Sequence, residues 1–114
     1  MNSTVTALQR QREEVLQEMR SIDRLRRGAF SQHFLRRREG GKIRTHGPYF
    51  VLQGYLRGKK FSRHIPAEQA AKVAVDVENY QHFQALAERF VTLTDELTRI
   101  EDQPESKKNS GRRK

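Results

Sequence analysis

From Val73 to Ile100 apolar residues return at steps of three and four: Val73, Val77, Tyr80, Phe83, Leu86, Phe90, Leu93, Leu97 and Ile100. A stripe of that length predicts a single long helix with one apolar face. Pro66 suits its first turn, where a missing N–H costs nothing, and Ala67, Glu68 and Gln69 follow with good helix propensity. From Phe83 onward the steps alternate strictly, as in a coiled-coil seam. A second stripe of Val5, Leu8, Val15, Met19 and Ile22 predicts a helix over about 4–26, capped by Asn2, Ser3 or Thr4. Arg12 occupies one slot of that stripe, where its stem can cover apolar surface. At about 1.5 Å per residue the two helices would be roughly 35 and 50 Å long, so the first cannot cover all of the second. The remaining seam must pack on the middle of the chain or on a second copy, which leaves open a homodimer through Phe83 to Ile100.

The middle reads as β structure. Tyr49 to Leu56 and Lys60 to Ile65 flank Arg57-Gly58-Lys59, a hairpin turn with glycine at a central position. Alternation puts Phe50, Leu52, Leu56, Phe61 and Ile65 on one face, with Arg63 the exception. Tyr49, Val51, Gln53, Tyr55, Arg57, Lys60, Ser62 and His64 share the other. A strand over about 29–35 is expected before them. Residues 36–47 are polar and glycine-rich, with five basic side chains, and are expected as a mobile basic loop. The stretch 103–114 holds Pro, Ser, Asn and Gly without a large apolar residue and is expected as a disordered basic tail. The fold class is therefore α+β: a helix, a two- or three-stranded antiparallel sheet and a long helix returning beside the first as a helical hairpin. One helix–sheet–helix domain is expected over 1–102.

Charge is distributed as unevenly as hydrophobicity. The chain of 114 residues carries +9, but residues 24–64 alone hold twelve Lys/Arg against Glu39, a net +11. Residues 107–114 add +5, while 1–23 and 65–106 are acidic. A surface built only for solubility intersperses its signs. A concentrated block of one sign is stable beside a polyanion. The candidates for phosphate contact are Arg36, Arg37, Arg38, Lys42, Arg44, Arg57, Lys59, Lys60 and Arg63, and Tyr49 and Tyr55 could stack on bases.

Other chemistry finds little support in the residues. There is no cysteine, so disulfides and thiolate metal sites are excluded. His33, His46, His64 and His82 lack the close spacing of a ligand set, so no metal or other cofactor is expected. Gly40-Gly41-Lys42 has neither the upstream glycine nor the following Ser/Thr of a phosphate loop. Nothing marks a nucleophile or a paired set of carboxylates, so no enzyme is expected. No run of apolar residues could span a bilayer and the first nine residues do not read as a signal peptide, so the expected location is the cytoplasm.

Several short motifs stand together: His46-Gly47-Pro48-Tyr49-Phe50, then Tyr55 to Lys60, Arg63-His64-Ile65-Pro66, and Glu78-Asn79-Tyr80-Gln81-His82-Phe83. Over about residues 22–97 the chain resembles a family of small uncharacterised bacterial proteins encoded in mobile elements beside transposases. Many of those relatives carry a cysteine cluster before the HGPY strand that looks like a zinc knuckle. Here Arg36 to Thr45 occupies that place, so a metal role does not carry over. The resemblance implies an accessory in a mobile element and assigns no activity. Together these readings predict a nucleic-acid-binding accessory, DNA favoured and transposition its setting. The alternatives are a helical-hairpin adaptor for a transposase or other protein, and a structured-RNA binder.

Overall fold

A computed structural model describes residues 3–103. Its elements run α1 (Ser3–Arg20), β1 (Ala29–Glu39), β2 (Lys42–Leu56), β3 (Lys59–Ile65) and α2 (Ala67–Glu101). The architecture is α+β, with a three-stranded antiparallel sheet in the order β1-β2-β3 and α2 contacting α1. No helix among the described residues is long and apolar enough to cross a membrane. The basic tail expected over 103–114 lies outside the described residues from position 104 on, as does the candidate cap Asn2.

The described chain forms two compact units, Arg24–Gln81 and a helical unit made of residues up to Asp23 with those from His82 onward. In the helical unit the two apolar stripes meet. Leu8 and Val15 of α1 bury Leu86 and Leu93 of α2, and Met19, Ile22, Phe90, Leu97 and Ile100 pack around them. From Leu86 to Ile100 the seam packs against α1, with Leu86 and Leu93 buried and Phe90, Leu97 and Ile100 half-buried. Arg12 lies half-buried over the Phe90 ring, 5.9 Å from its centroid, and its guanidinium donates to Thr94 Oγ1 at 3.4 Å. A cation on an aromatic face keeps its interaction while its stem fills the gap in the stripe.

The first helix is shorter than its periodicity predicts, ending at Arg20 rather than near 26. Ser21 closes it: its N–H reaches the carbonyls of Gln17 and Glu18, and its hydroxyl donates to Glu18 O at 2.6 Å. Ile22 still packs with the stripe, but Arg24 and Arg26 leave the helical path to meet Asp76 of α2.

That meeting organises the other unit. Asp76 is 1% exposed. Arg24 grips it bidentately along one edge of its guanidinium, Nε donating to Oδ1 at 2.6 Å and Nη2 to Oδ2 at 3.0 Å. Arg26 Nε donates to Oδ2 at 3.0 Å, the Arg26 N–H donates to the Asp76 carbonyl, and Asn79 Nδ2 donates to the Arg24 carbonyl. The chain entering β1 is thereby tied to α2 by five hydrogen bonds. The sheet then lays one face on α2: Leu52 and Ile65 are buried against Val73 and Val77, with Phe30, Phe50 and Phe61 around them. The parity expected from alternation holds, with two qualifications. Leu56 shares that face but stands 56% exposed at the strand end, and Phe61 is only half-buried.

The segment expected as a loop over 36–47 is strand. β1 continues to Glu39, Gly40 and Gly41 make the turn, and Lys42 begins β2. The reason is glycine at two adjacent turn positions, with φ of 58° and 80°, which closes a two-residue hairpin and lets backbone pairing continue to the tip. One irregularity interrupts the ribbon. His33 pairs with Tyr49 but Leu35 with His46, so Gly47 and Pro48 together face Phe34 as a bulge. At Gly47, with φ 128°, a Cβ would stand 2.9 Å from the His33 carbonyl oxygen, so only glycine fits.

The Arg24 guanidinium, bonded to Asp76, holds its carboxyl below the ordinary carboxylate range, and Arg26 adds to this against the opposing effect of burial. Because the folded value is depressed, the contribution is complete at neutral pH and down to about pH 4, the unfolded carboxylate value. It is lost as pH falls further through the folded value. Both arginine side chains are nearly half-exposed, 49% and 40%, so the two ways of breaking the cluster should differ. Asp76→Ala frees the guanidinium groups to water and should cost about 1.5–3 kcal/mol. Arg24→Ala with Arg26→Ala strands a buried carboxylate and should cost about 3–5 kcal/mol. Urea denaturation at pH 7 checks the ranking. At pH 3 the gap between the unmodified chain and Asp76→Ala should narrow.

Candidate nucleic-acid interface

The expected phosphate contacts are distributed over two places on the sheet. β3 pairs with β2 only between Phe50 and Leu56, so from Phe34 and Gly47 outward the sheet is a two-stranded ribbon. Every residue of this ribbon from Phe34 to Gly47 is exposed except His46. Alternation puts Arg37, Lys42 and Arg44 on one face with Glu39 and His46, and Arg36 and Arg38 on the other with Ile43. The second cluster, Arg57, Lys59 and Lys60, sits at the far turn of β2. Leu56 is 14 residues from Lys42, at most about 48 Å along an extended strand. The structure therefore brings Arg36, Arg37, Arg38, Lys42 and Arg44 together and keeps Arg57, Lys59 and Lys60 apart from them.

The remaining candidates divide by face. Tyr55 is 63% exposed and opposes Lys60. Tyr49 is half-buried and leans on His64, ring centroids 6.3 Å apart. Six residues separate the tyrosines, about 20 Å of strand, so they do not form one stacking platform. Arg63 pairs with Leu52 and stands on the face toward α2. There it borders an open cleft of about 460 Å³ with Leu25, Arg27, Leu52, Leu56 and Phe61.

Electrostatically the unit is almost uncompensated. Arg24 and Arg26 are held by Asp76, and Arg44 lies 3.5 Å from Glu39, which also receives His46 at 2.9 Å. Among the described residues, no ion pair reaches Arg27, Arg36, Arg37, Arg38, Lys42, Arg57, Lys59, Lys60 or Arg63. No cluster of three metal-ligating side chains is found among the described residues.

Two residues escaped the sequence reading. Arg27 has no ion-pair partner among the described residues and borders the cleft shared with Leu52, Phe61 and Arg63. Asp76 falls within the acidic stretch 65–106 and has no role in that reading. The signal that could have found it is its place three residues after Val73 and one before Val77, inside the apolar stripe.

No protein-family model, curated protein or solved structure matches this chain.

The β2–β3 turn carries a further indication. Arg57 and Gly58 have φ of 53° and 80°. A left-handed backbone costs an ordinary side chain about 1–2 kcal/mol, and Asn, Asp or Gly is preferred at this turn position. An arginine at this position therefore carries a backbone cost that asparagine would reduce. Arg57→Asn should stabilise the chain by about 1 kcal/mol and, if Arg57 belongs to a nucleic-acid interface, weaken binding there. Thermal melting and a binding titration on the same sample check both, and unchanged affinity would remove Arg57 from the interface.

Proposed function

We propose that this chain is a nucleic-acid-binding accessory protein of the cytoplasm, with DNA the favoured polymer. Its resemblance to the mobile-element family gives transposition as the setting. One observation carries the reading: among the described residues, nine exposed Lys and Arg side chains on the sheet, its turns, its projecting ribbon and the adjoining Arg27 have no acidic partner. Arg36 and Arg38 stand two residues apart on one face of β1, about 7 Å along the strand and within one screening length of about 8 Å at physiological salt. Their mutual repulsion is relieved when phosphates take the place of counterions, and the released ions drive binding.

The chemistry is neutralisation and placement. Phosphate contacts from arginine and lysine set orientation on the polymer and read no sequence. Tyr55 adds a face for stacking where a base is unpaired. The one acid in the block, Glu39, restrains this surface by holding Arg44.

If about five phosphates are contacted, log K against log salt should fall with a slope of about −4.5. Replacing Arg36, Arg37 and Arg38 together with alanine should weaken binding to every sequence and leave the fold intact, since all three are exposed. Glu39→Gln should act in the opposite direction, tightening binding and steepening the slope by about one, while the melting temperature barely moves because exposed ion pairs contribute little. A flat salt dependence would sink the reading and favour a protein-binding adaptor. Binding restricted to folded RNA would favour the structured-RNA alternative.

A further inference from the structure

Resting on that reading, we infer that the β1–β2 ribbon enters the major groove of duplex DNA turn-first, its two faces toward the two phosphate walls. The carrying observation is the placement of charge on both faces of a ribbon only two strands wide. Arg36 and Arg38 project from one face, and Arg37 and Lys42 from the other. All four are exposed and none is held by an acid among the described residues. A single strand, or a duplex on which the ribbon lay flat, would offer phosphates to one face and leave the other cations repelling each other. Two phosphate walls satisfy both.

Dimensions select the groove. Packed sheets stand about 10 Å apart, so a ribbon with side chains on both faces is about 10 Å thick. The major groove of B-form DNA is about 12 Å wide and 8.5 Å deep, the minor groove about 6 Å wide. Only the first admits the ribbon. A-form RNA has a major groove too deep and narrow for side chains to read. At about 3.4 Å per residue, a depth of 8.5 Å takes in between two and three residue pairs. The first three from the turn are Glu39 with Lys42, Arg38 with Ile43, and Arg37 with Arg44. Arg36 then lies at the lip. The leading edge is Gly40-Gly41, where no side chain stands between backbone and base edges, and a Cβ at either would meet nothing within 4 Å. Glu39, the one anion there, is turned back toward Arg44 and His46.

The test compares a 20-base-pair DNA duplex, one of its strands alone, and the matching RNA duplex, using the full chain. Arg36→Ala with Arg38→Ala removes one face, and Arg37→Ala with Lys42→Ala the other. On duplex DNA each pair should flatten the salt slope by about 1.8, two phosphates' worth. The bound chain should protect guanine N7, a major-groove atom, from methylation. A minor-groove ligand such as netropsin should not compete. If only one pair of substitutions matters, the ribbon lies flat and turn-first insertion is overturned. Equal affinity for the single strand or the RNA duplex, or displacement by netropsin, overturns the groove assignment while leaving nucleic-acid binding standing. Absence of binding to all three polymers at low salt refutes the functional reading itself, and this inference with it.

Discussion

Asp76 is the point on which the sheet-bearing unit depends. A carboxylate at 1% exposure is tolerable only with its lone pairs filled, and three donors from Arg24 and Arg26 fill them. Those donors come from a stretch with no regular structure between α1 and β1. The ion cluster therefore does what a hydrogen-bonded element cannot do there: it sets where the chain stands as it enters the sheet. Buried charge is weak evidence of net stability, since well-packed apolar groups often do as well. Its contribution here is directional. A guanidinium that meets both carboxylate oxygens accepts one geometry, whereas the seven apolar side chains between sheet and α2 would tolerate small slips.

With the sheet anchored, the ribbon is free to be polar. Its core contacts end near Phe50, and beyond the bulge at Gly47-Pro48 the strands are held by backbone pairing and by the contacts of Glu39 with Arg44 and His46. A ribbon without a buried face has no hydrophobic reason to keep its register. The Gly40-Gly41 turn and the bulge supply that reason instead, by fixing which residues oppose each other. Charge on its edges and faces also discourages pairing with other sheets, the ordinary danger of an exposed strand. Resistance to edge pairing and the proposed contact with a polyanion ask for the same residues here.

Much of this was legible in residue order. Stripes at steps of three and four named both helices and the side chains that meet between them, from Leu8 and Val15 to Leu86 and Leu93. Alternation named Leu52 and Ile65 as the buried members of their strands and Tyr55 and Lys60 as outward ones. Less legible were the boundaries. Periodicity carried the first helix past Arg20, because Ile22 does lie in the stripe and Arg26 falls at the right step. Nothing local says that Arg24 and Arg26 have a stronger partner 50 residues away. The ribbon was read as a loop for the converse reason: a strand exposed on both faces has no apolar alternation to betray it.

Residue order by itself determined the element types, the faces of the sheet nearest the turn and the confinement of positive charge to 24–64, because each follows from neighbours a few positions apart. Only the tertiary structure decided which charges remain available. Arg24 and Arg26 are held by Asp76 and Arg44 lies near Glu39, while Arg36, Arg37, Arg38 and Lys42 have no acidic partner among the described residues and stand on two sides of one narrow ribbon. The physical reason is range. Hydrophobic period is set along the chain, but an ion pair forms wherever folding brings a donor within about 3 Å of an acceptor, and that distance is not written in the order of the residues.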